Sequence, residues 1–235
     1  MGKQEFIFKQ FKINQDKCAM KIGTDSVLLG AWANIPSKGN FLDIGTGTGV
    51  LALMMAQRSE GRIKAVEIDK NASDQAYINF KQSKWSSKLS VINADIENFN
   101  PDIKFDYIIC NPPFFSSPNS DIIKNRLIAR HDNELSIEKL LACVTRLLSE
   151  YGKFGFILPI TQAENLISNA NIHSLYCTKK SFVKPTPQKD AHRIMAELQK
   201  TKSDCSCETI IIEESGRHQY SQKYIALTKE FYLFM

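Results

Sequence analysis

What the 235-residue chain lacks already excludes several classes. No run approaches the roughly 18 to 20 consecutive apolar residues that a bilayer-spanning helix needs, so no membrane segment is expected. The opening MGKQEFIFKQ has no apolar stretch ending in small residues. A secretory signal is therefore not expected, and the cytoplasm is the expected compartment. Phe6 occupies the place where myristoylation wants Ser or Thr. The six cysteines are too scattered for a disulfide framework, and Cys205 and Cys207 form a CxC rather than the paired CxxC of a zinc site. Neither His173 nor His192 completes a ligand set, so no metal is expected. Cys18, Cys110, Cys143 and Cys177 stand alone and read as small buried hydrophobes, the CxC as a surface pair. A GxSxG elbow is also missing, which leaves a nucleophilic triad unsupported.

What is present is globular: 43% hydrophobic and 23% charged residues, with 30 basic against 25 acidic side chains. The length suits one domain over 1–235, with an N-terminal elaboration at 1–36, a core at 37–170 and C-terminal strands and a helix at 171–235. The net charge of +5 is weak support for an acidic partner, but its distribution says more. Residues 1–21 carry Lys3, Lys9, Lys12, Lys17 and Lys21, and residues 179–193 carry Lys179, Lys180, Lys184, Lys189 and Arg193.

Strand and helix patterns alternate through the middle of the chain. GNFLDIG, RIKAVEID, LSVINAD, FDYIICN and KFGFILP read as buried strands. VLALMMAQR, NASDQAYINFKQSK and SIEKLLACVTRLL read as helices, with Asp69 or Asn71 and Ser136 as caps. This order implies an α/β fold, a mostly parallel sheet with helices on both faces. Upstream, EFIFKQFKI suits a hairpin arm and TDSVLLGAW a helix capped by Thr24 or Asp25. Downstream, LYCTKKSFVKP and CETIIIEE read as strands, while HRIMAELQK is ambiguous between strand and helix, with the alternation of Ile194, Ala196 and Leu198 allowing an edge strand. Trp85, amid Lys81, Lys84 and Lys88, reads as a plug between helix and sheet.

Two constellations carry chemistry. The first is Asp43-Ile-Gly45-Thr-Gly47-Thr-Gly49, where glycines let the backbone turn tightly and a ligand approach the peptide groups. A dinucleotide fingerprint wants Gly-x-Gly-x-x-Gly, and its third position here is Val50. An acid ahead of the loop repels a pyrophosphate and attracts a zwitterion such as S-adenosylmethionine. Glu67 ends the second strand, where it can accept from both ribose hydroxyls of a nucleoside cofactor. Asp95, followed by Ile96, ends the third and can accept from an adenine amine. Asp69 reads as a helix cap.

The second is Asn111-Pro112-Pro113-Phe114, directly after FDYIIC. Two prolines stiffen the backbone and remove two donors, so a rigid carbonyl stands beside the Asn oxygen. Such a pair of acceptors suits an NH2 group on a planar system, freeing the nitrogen lone pair for attack on a methyl sulfonium. Phe114 can stack on the flat substrate. His131 is not needed as a base, since the methylated nitrogen can lose its proton to water afterwards.

Together DIGTGTG and NPPF resemble the amino-group branch of the class I S-adenosylmethionine-dependent methyltransferases, a Rossmann-like fold. From FKQFKINQDKCAMKIGTDSVLLGAW through LALMMAQR, AVEID and NADI to YIALTKEFYLFM, the chain is similar to the tRNA(Val) adenine-37 N6-methyltransferase family. The resemblance covers nearly the whole chain. It implies Asn111, Pro112 and Phe114 as catalytic residues, and Asp43, Gly45, Gly47, Gly49, Glu67, Asp95, Ile96 and Asn111 around the cofactor. Pro113, Phe114, Lys179, Lys180 and Lys184 are the expected contacts of a tRNA substrate. The family more usually has Tyr where Phe114 stands; stacking survives the change. The competing activity is glutamine N5-methylation of a release factor, whose enzymes add an N-terminal helical domain that about 40 residues cannot supply. A non-enzymatic cofactor-binding or RNA-chaperone module is argued against by the intact NPPF.

Overall fold

The computed structural model describes residues 5–18, 20–113 and 135–235. Its centre is an eight-stranded sheet assembled outward from β3 (Asn40–Ile44). To one side lie β4 (Arg62–Glu67) and β5 (Leu89–Asn93). To the other lie β6 (Phe105–Cys110), β7 (Leu148–Pro159), β9 (Arg193–Gln199), β8 (Tyr176–Lys184) and β10 (Ser206–Ile211). Every pairing is parallel except those of β9, which runs antiparallel to both β7 and β8. A separate hairpin, β1 (Glu5–Ile7) with β2 (Lys12–Asn14), precedes helix α1 (Thr24–Trp32).

Strand pleating sorts the core into two layers. Phe41, Tyr107, Ile109, Ile157 and Met195 pack on one face, with buried residues of α1, α2 (Val50–Arg58), α3 (Lys70–Gln82) and α6 (Gln222–Thr228). Leu42, Ile44, Ile108, Phe154 and Phe156 point to the other, toward α4 (Ile137–Leu147) and α5 (Ile160–Ala170). Such central strands, buried on both faces, read as continuous apolar runs. The hairpin closes over the first layer through Phe8 and Phe11, stacked with centroids 4.5 Å apart. Phe11 meets Trp85 edge-on at 5.9 Å, so that half-buried tryptophan packs against the hairpin and the first core layer.

Several elements depart from the expected pattern. The segment 193–199 is an interior strand, and Ile194 through Leu198 are buried without a break. Glu197, which reads as a solvent-facing position, is fully buried because Tyr107 Oη (2.6 Å), Asn34 N (2.7 Å) and Asn34 Nδ2 (3.1 Å) all donate to its carboxylate. Gly155, opposite Glu197, makes room for that Tyr107 hydroxyl: a Cβ there would lie 2.5 Å from it. The strand expected at 153–159 begins five residues earlier, at Leu148. No helix separates β5 from β6. Helix α1 takes Gly23 as its N-cap with no side-chain bond, whereas Asp69 and Ser136 cap α3 and α4 through Ala72 N and Lys139 N. Cys177 is not alone, since its Sγ lies 3.5 Å from Cys205 Sγ. No described helix is long and apolar enough to cross a membrane.

Candidate active site

Chain order reverses between β3 and β6, because the chain runs outward through β4 and β5 before returning to β6. Ligands of open α/β sheets bind at such a switch point, beyond the strands' carboxyl ends. A cleft of about 1380 Å³ opens there, walled by the loops after β3, β4, β5 and β6 and by the start of α1.

The glycine loop follows β3. Gly45, Gly47 and Gly49 have φ of 66°, 54° and 85°, left-handed values that a side chain strains. At Gly49 packing adds a second reason: a Cβ would meet the Phe80 ring at 2.5 Å. At Gly45 and Gly47 a Cβ would project into open space, as expected of backbone that faces a ligand. Asn79 of α3, wholly buried, steadies the loop by donating to Thr48 O at 2.8 Å and to Asn14 O at 2.9 Å.

Asp43 lies beneath this loop rather than in the cleft, contrary to the expectation that its charge faces the ligand. It shares the β3 face of Phe41, which turns it toward α2, and it is fully buried. Thr46 Oγ1 (2.5 Å) and Ala52 N (3.1 Å) both donate to its Oδ2. Oδ1 has no partner among the described residues. Burial raises its pKa to about 7; the bonds from Thr46 and Ala52 oppose the rise, and the Glu67 charge adds to it.

Glu67 ends β4 on the cleft wall, nearly buried. Gly47 N donates to Oε2 at 2.8 Å and Asp69 N to Oε1 at 3.0 Å. Each carboxylate oxygen can accept two hydrogen bonds, so both retain capacity for a further donor. Asp95 and Ile96 also face the cleft, though β5 ends at Asn93 and Asp95 sits in the turn beyond it. There Asp95 Oδ1 accepts from Glu97 N at 2.9 Å.

Asn111 and the prolines 112 and 113 follow β6 and line the cleft across from the glycine loop. Asn111 Nδ2 donates to Ser26 Oγ at 2.8 Å. Phe114, Arg130 and His131 lie outside the described residues. The three expected substrate lysines do not line the cleft. Lys179 is in mid-strand with its ammonium 4.1 Å from the Trp32 ring centroid, donating to Trp32 O at 3.3 Å. Lys184 donates to Pro187 O at 2.7 Å, and Lys180 lies over the Phe182 ring at 5.0 Å. Among the described residues, Lys21 is the lysine on the cleft wall. His192, weighed from the sequence only as a metal ligand, is a wall residue of the cleft. Its buried Nδ1 has no partner among the described residues, and burial together with Arg193 lowers its pKa.

Residues 18–156 match the family described as Methyltransferase small domain. A tRNA1(Val) (adenine(37)-N6)-methyltransferase from Trichodesmium erythraeum is 44% identical, covering 99% of this chain and 99% of its own. One from Phocaeicola vulgatus is 44% identical over 98% of each. The chain belongs to the tRNA1(Val) (adenine(37)-N6)-methyltransferase family. It is an S-adenosylmethionine-dependent methyltransferase of class I fold. The crystal structure of a predicted O-methyltransferase from Agrobacterium tumefaciens superposes with a TM-score of 0.70 at 18% identity, covering 88% of this chain and 96% of that one. That likeness shows the fold alone. The methyltransferase cleft suits its cofactor chemically. It offers open space over two left-handed glycines, a fixed carboxylate with spare acceptor capacity at Glu67, and a buried carboxyl oxygen at Asp43, without a partner among the described residues, beneath the loop.

Proposed function

We propose that this chain methylates N6 of adenine 37 in a valine tRNA, as a single domain spanning 1–235. The reading rests chiefly on Asn111, which stands at the end of β6 facing the glycine loop across one cleft. Asn111 Oδ1 and the Pro112 carbonyl accept the two hydrogens of the adenine amine and draw its nitrogen out of the ring plane. S-adenosylmethionine would supply the electrophilic methyl group to the lone pair so freed, its sulfur leaving as the thioether. Glu67 would hold the cofactor's ribose hydroxyls, Asp95 and Ile96 its adenine, and the loop Gly45–Gly49 its amino-acid end. Asp43 would support that loop from below by accepting from Thr46 and Ala52.

Stacking on the target base is the role that the NPPF motif assigns to Phe114, next to Pro113 in the sequence. After transfer the nitrogen is an acid that water deprotonates, so no side chain is required as a base. A base within a duplex is inaccessible to this geometry, whereas an anticodon loop presents adenine already unpaired. Lys21, on the cleft wall, is a candidate for a phosphate contact.

Labelled methyl transfer offered in parallel to total tRNA, duplex DNA and release factor tests the reading. Label is expected in N6-methyladenine of tRNA. Label in protein glutamine, with none in tRNA, would replace this substrate by the competing one.

A further inference from the structure

We propose that Ser26 is a positioning residue for methyl transfer: its hydroxyl holds the Asn111 amide so that Oδ1, not Nδ2, faces the reacting amine. This rests on the reading of Asn111 as the acceptor of that amine. A serine hydroxyl can accept from an amide nitrogen or donate to an amide oxygen; here it accepts from Asn111 Nδ2, which leaves Oδ1 free for the reacting amine. With NH2 turned into the cleft, a donor would meet a donor, and the target nitrogen would not be drawn out of plane. Asn111 Nδ2 donates to Ser26 Oγ at 2.8 Å across 85 residues of chain, and both residues line the cleft.

The start of α1 is built for this role rather than for its own stability. Ser and Asp in a first helical turn commonly satisfy the free backbone N–H groups there. Here Gly23 is the N-cap and no side chain caps the helix. The neighbouring Asp25 accepts from Arg193 Nε at 2.8 Å, in a partly buried ion pair that fastens the turn to the first residue of β9. The side chains at 25 and 26 are thus both spent on long-range contacts, one anchoring the turn and the other meeting Asn111.

The test measures kcat, KM for both substrates and cofactor affinity in Ser26→Ala, Ser26→Thr and Asn111→Ala. Alanine is the better helix former, so Ser26→Ala should fold. Its kcat is expected to fall about three- to tenfold, the range that one neutral hydrogen bond commands, with KM values and cofactor affinity unchanged. Ser26→Thr, which keeps the hydroxyl, should recover most of the rate. A wild-type kcat in Ser26→Ala, or an equal loss in the threonine variant, would overturn the role of Ser26. A loss of cofactor affinity in Ser26→Ala would also overturn it, reducing the residue to a structural support. If Asn111→Ala itself turns over normally, the amide is not the acceptor and the underlying site reading fails instead.

Discussion

Replacing Asp43 with Asn separates a buried support from a ligand-facing charge. Both hydrogen bonds to Asp43 end on Oδ2, from Thr46 and Ala52, and Oδ1 has no partner among the described residues. An Asn whose oxygen takes the Oδ2 position keeps both bonds and places a neutral group where the unpartnered oxygen stood. Burial raises the native pKa from 3.8 to about 7. A folded-state pKa above the unfolded one means that the native protein holds its proton longer. The associated stability is full below the unfolded pKa and is lost as pH rises through the folded one. At about 1.4 kcal/mol per unit the whole loss is about 4 kcal/mol, of which about 3 falls between about pH 4.5 and 8. Urea unfolding of both proteins without cofactor should therefore show Asp43→Asn gaining on the parent by about 3 kcal/mol over that interval, at equal m-values. A difference independent of pH would refute the argument, because it would mean that Asp43 ionises as freely in the fold as in the unfolded chain.

Glu67→Ala removes two acceptors for ribose and leaves Gly47 N and Asp69 N without their partner. Calorimetry should show cofactor affinity falling by about tenfold or more, at roughly 1 kcal/mol per bond. Asn111→Ala should leave that affinity intact and slow methyl transfer by about a hundredfold or more, read by single-turnover kinetics, as for a group acting chiefly in the transition state. Lys21→Glu should weaken tRNA binding and lower the slope of log affinity against log salt by about one. Lys179→Ala should spare that slope and instead lower the urea midpoint, since its ammonium rests on Trp32.

How far the fold could be read depended on the range of the forces involved. Asp69 and Ser136 cap the helices beginning beside them, and each bond closes within three residues. The central strands are long apolar runs whose neighbours are supplied by the β-helix-β crossover itself. The segment 193–199 defeats this kind of reading. Glu197 looks like the polar half of an alternating edge, yet its partners Tyr107 and Asn34 lie 90 and 163 residues away. Without them a buried carboxylate would be too costly, and no local pattern announces them.

The same distinction runs through the site. The glycines, Glu67, Asp95 and Asn111 could be brought to one cleft from the sequence because each lies at or just beyond the end of a strand, and parallel strands deliver their carboxyl ends to one edge. Asp43 was legible as important but not in its orientation, although the pleat contains the answer. In Phe41-Leu42-Asp43-Ile44 the acid shares a face with Phe41 and must point at whatever covers that face, which is α2. The three lysines could not be placed from the sequence: they do not line the cleft, and Trp32 arrives from α1 to cover Lys179. Ser26 and Asn79 left no comparable trace. Each is a small polar residue on a helix whose local surroundings predict a cap or a solvent-facing position, and each acts instead on a strand-end loop. Helices α1 and α3 approach the cleft from outside the β3–β6 pair. The side chains that hold its loops in place are therefore set by how helices pack on the sheet, a relation that strand order and motif spacing do not encode.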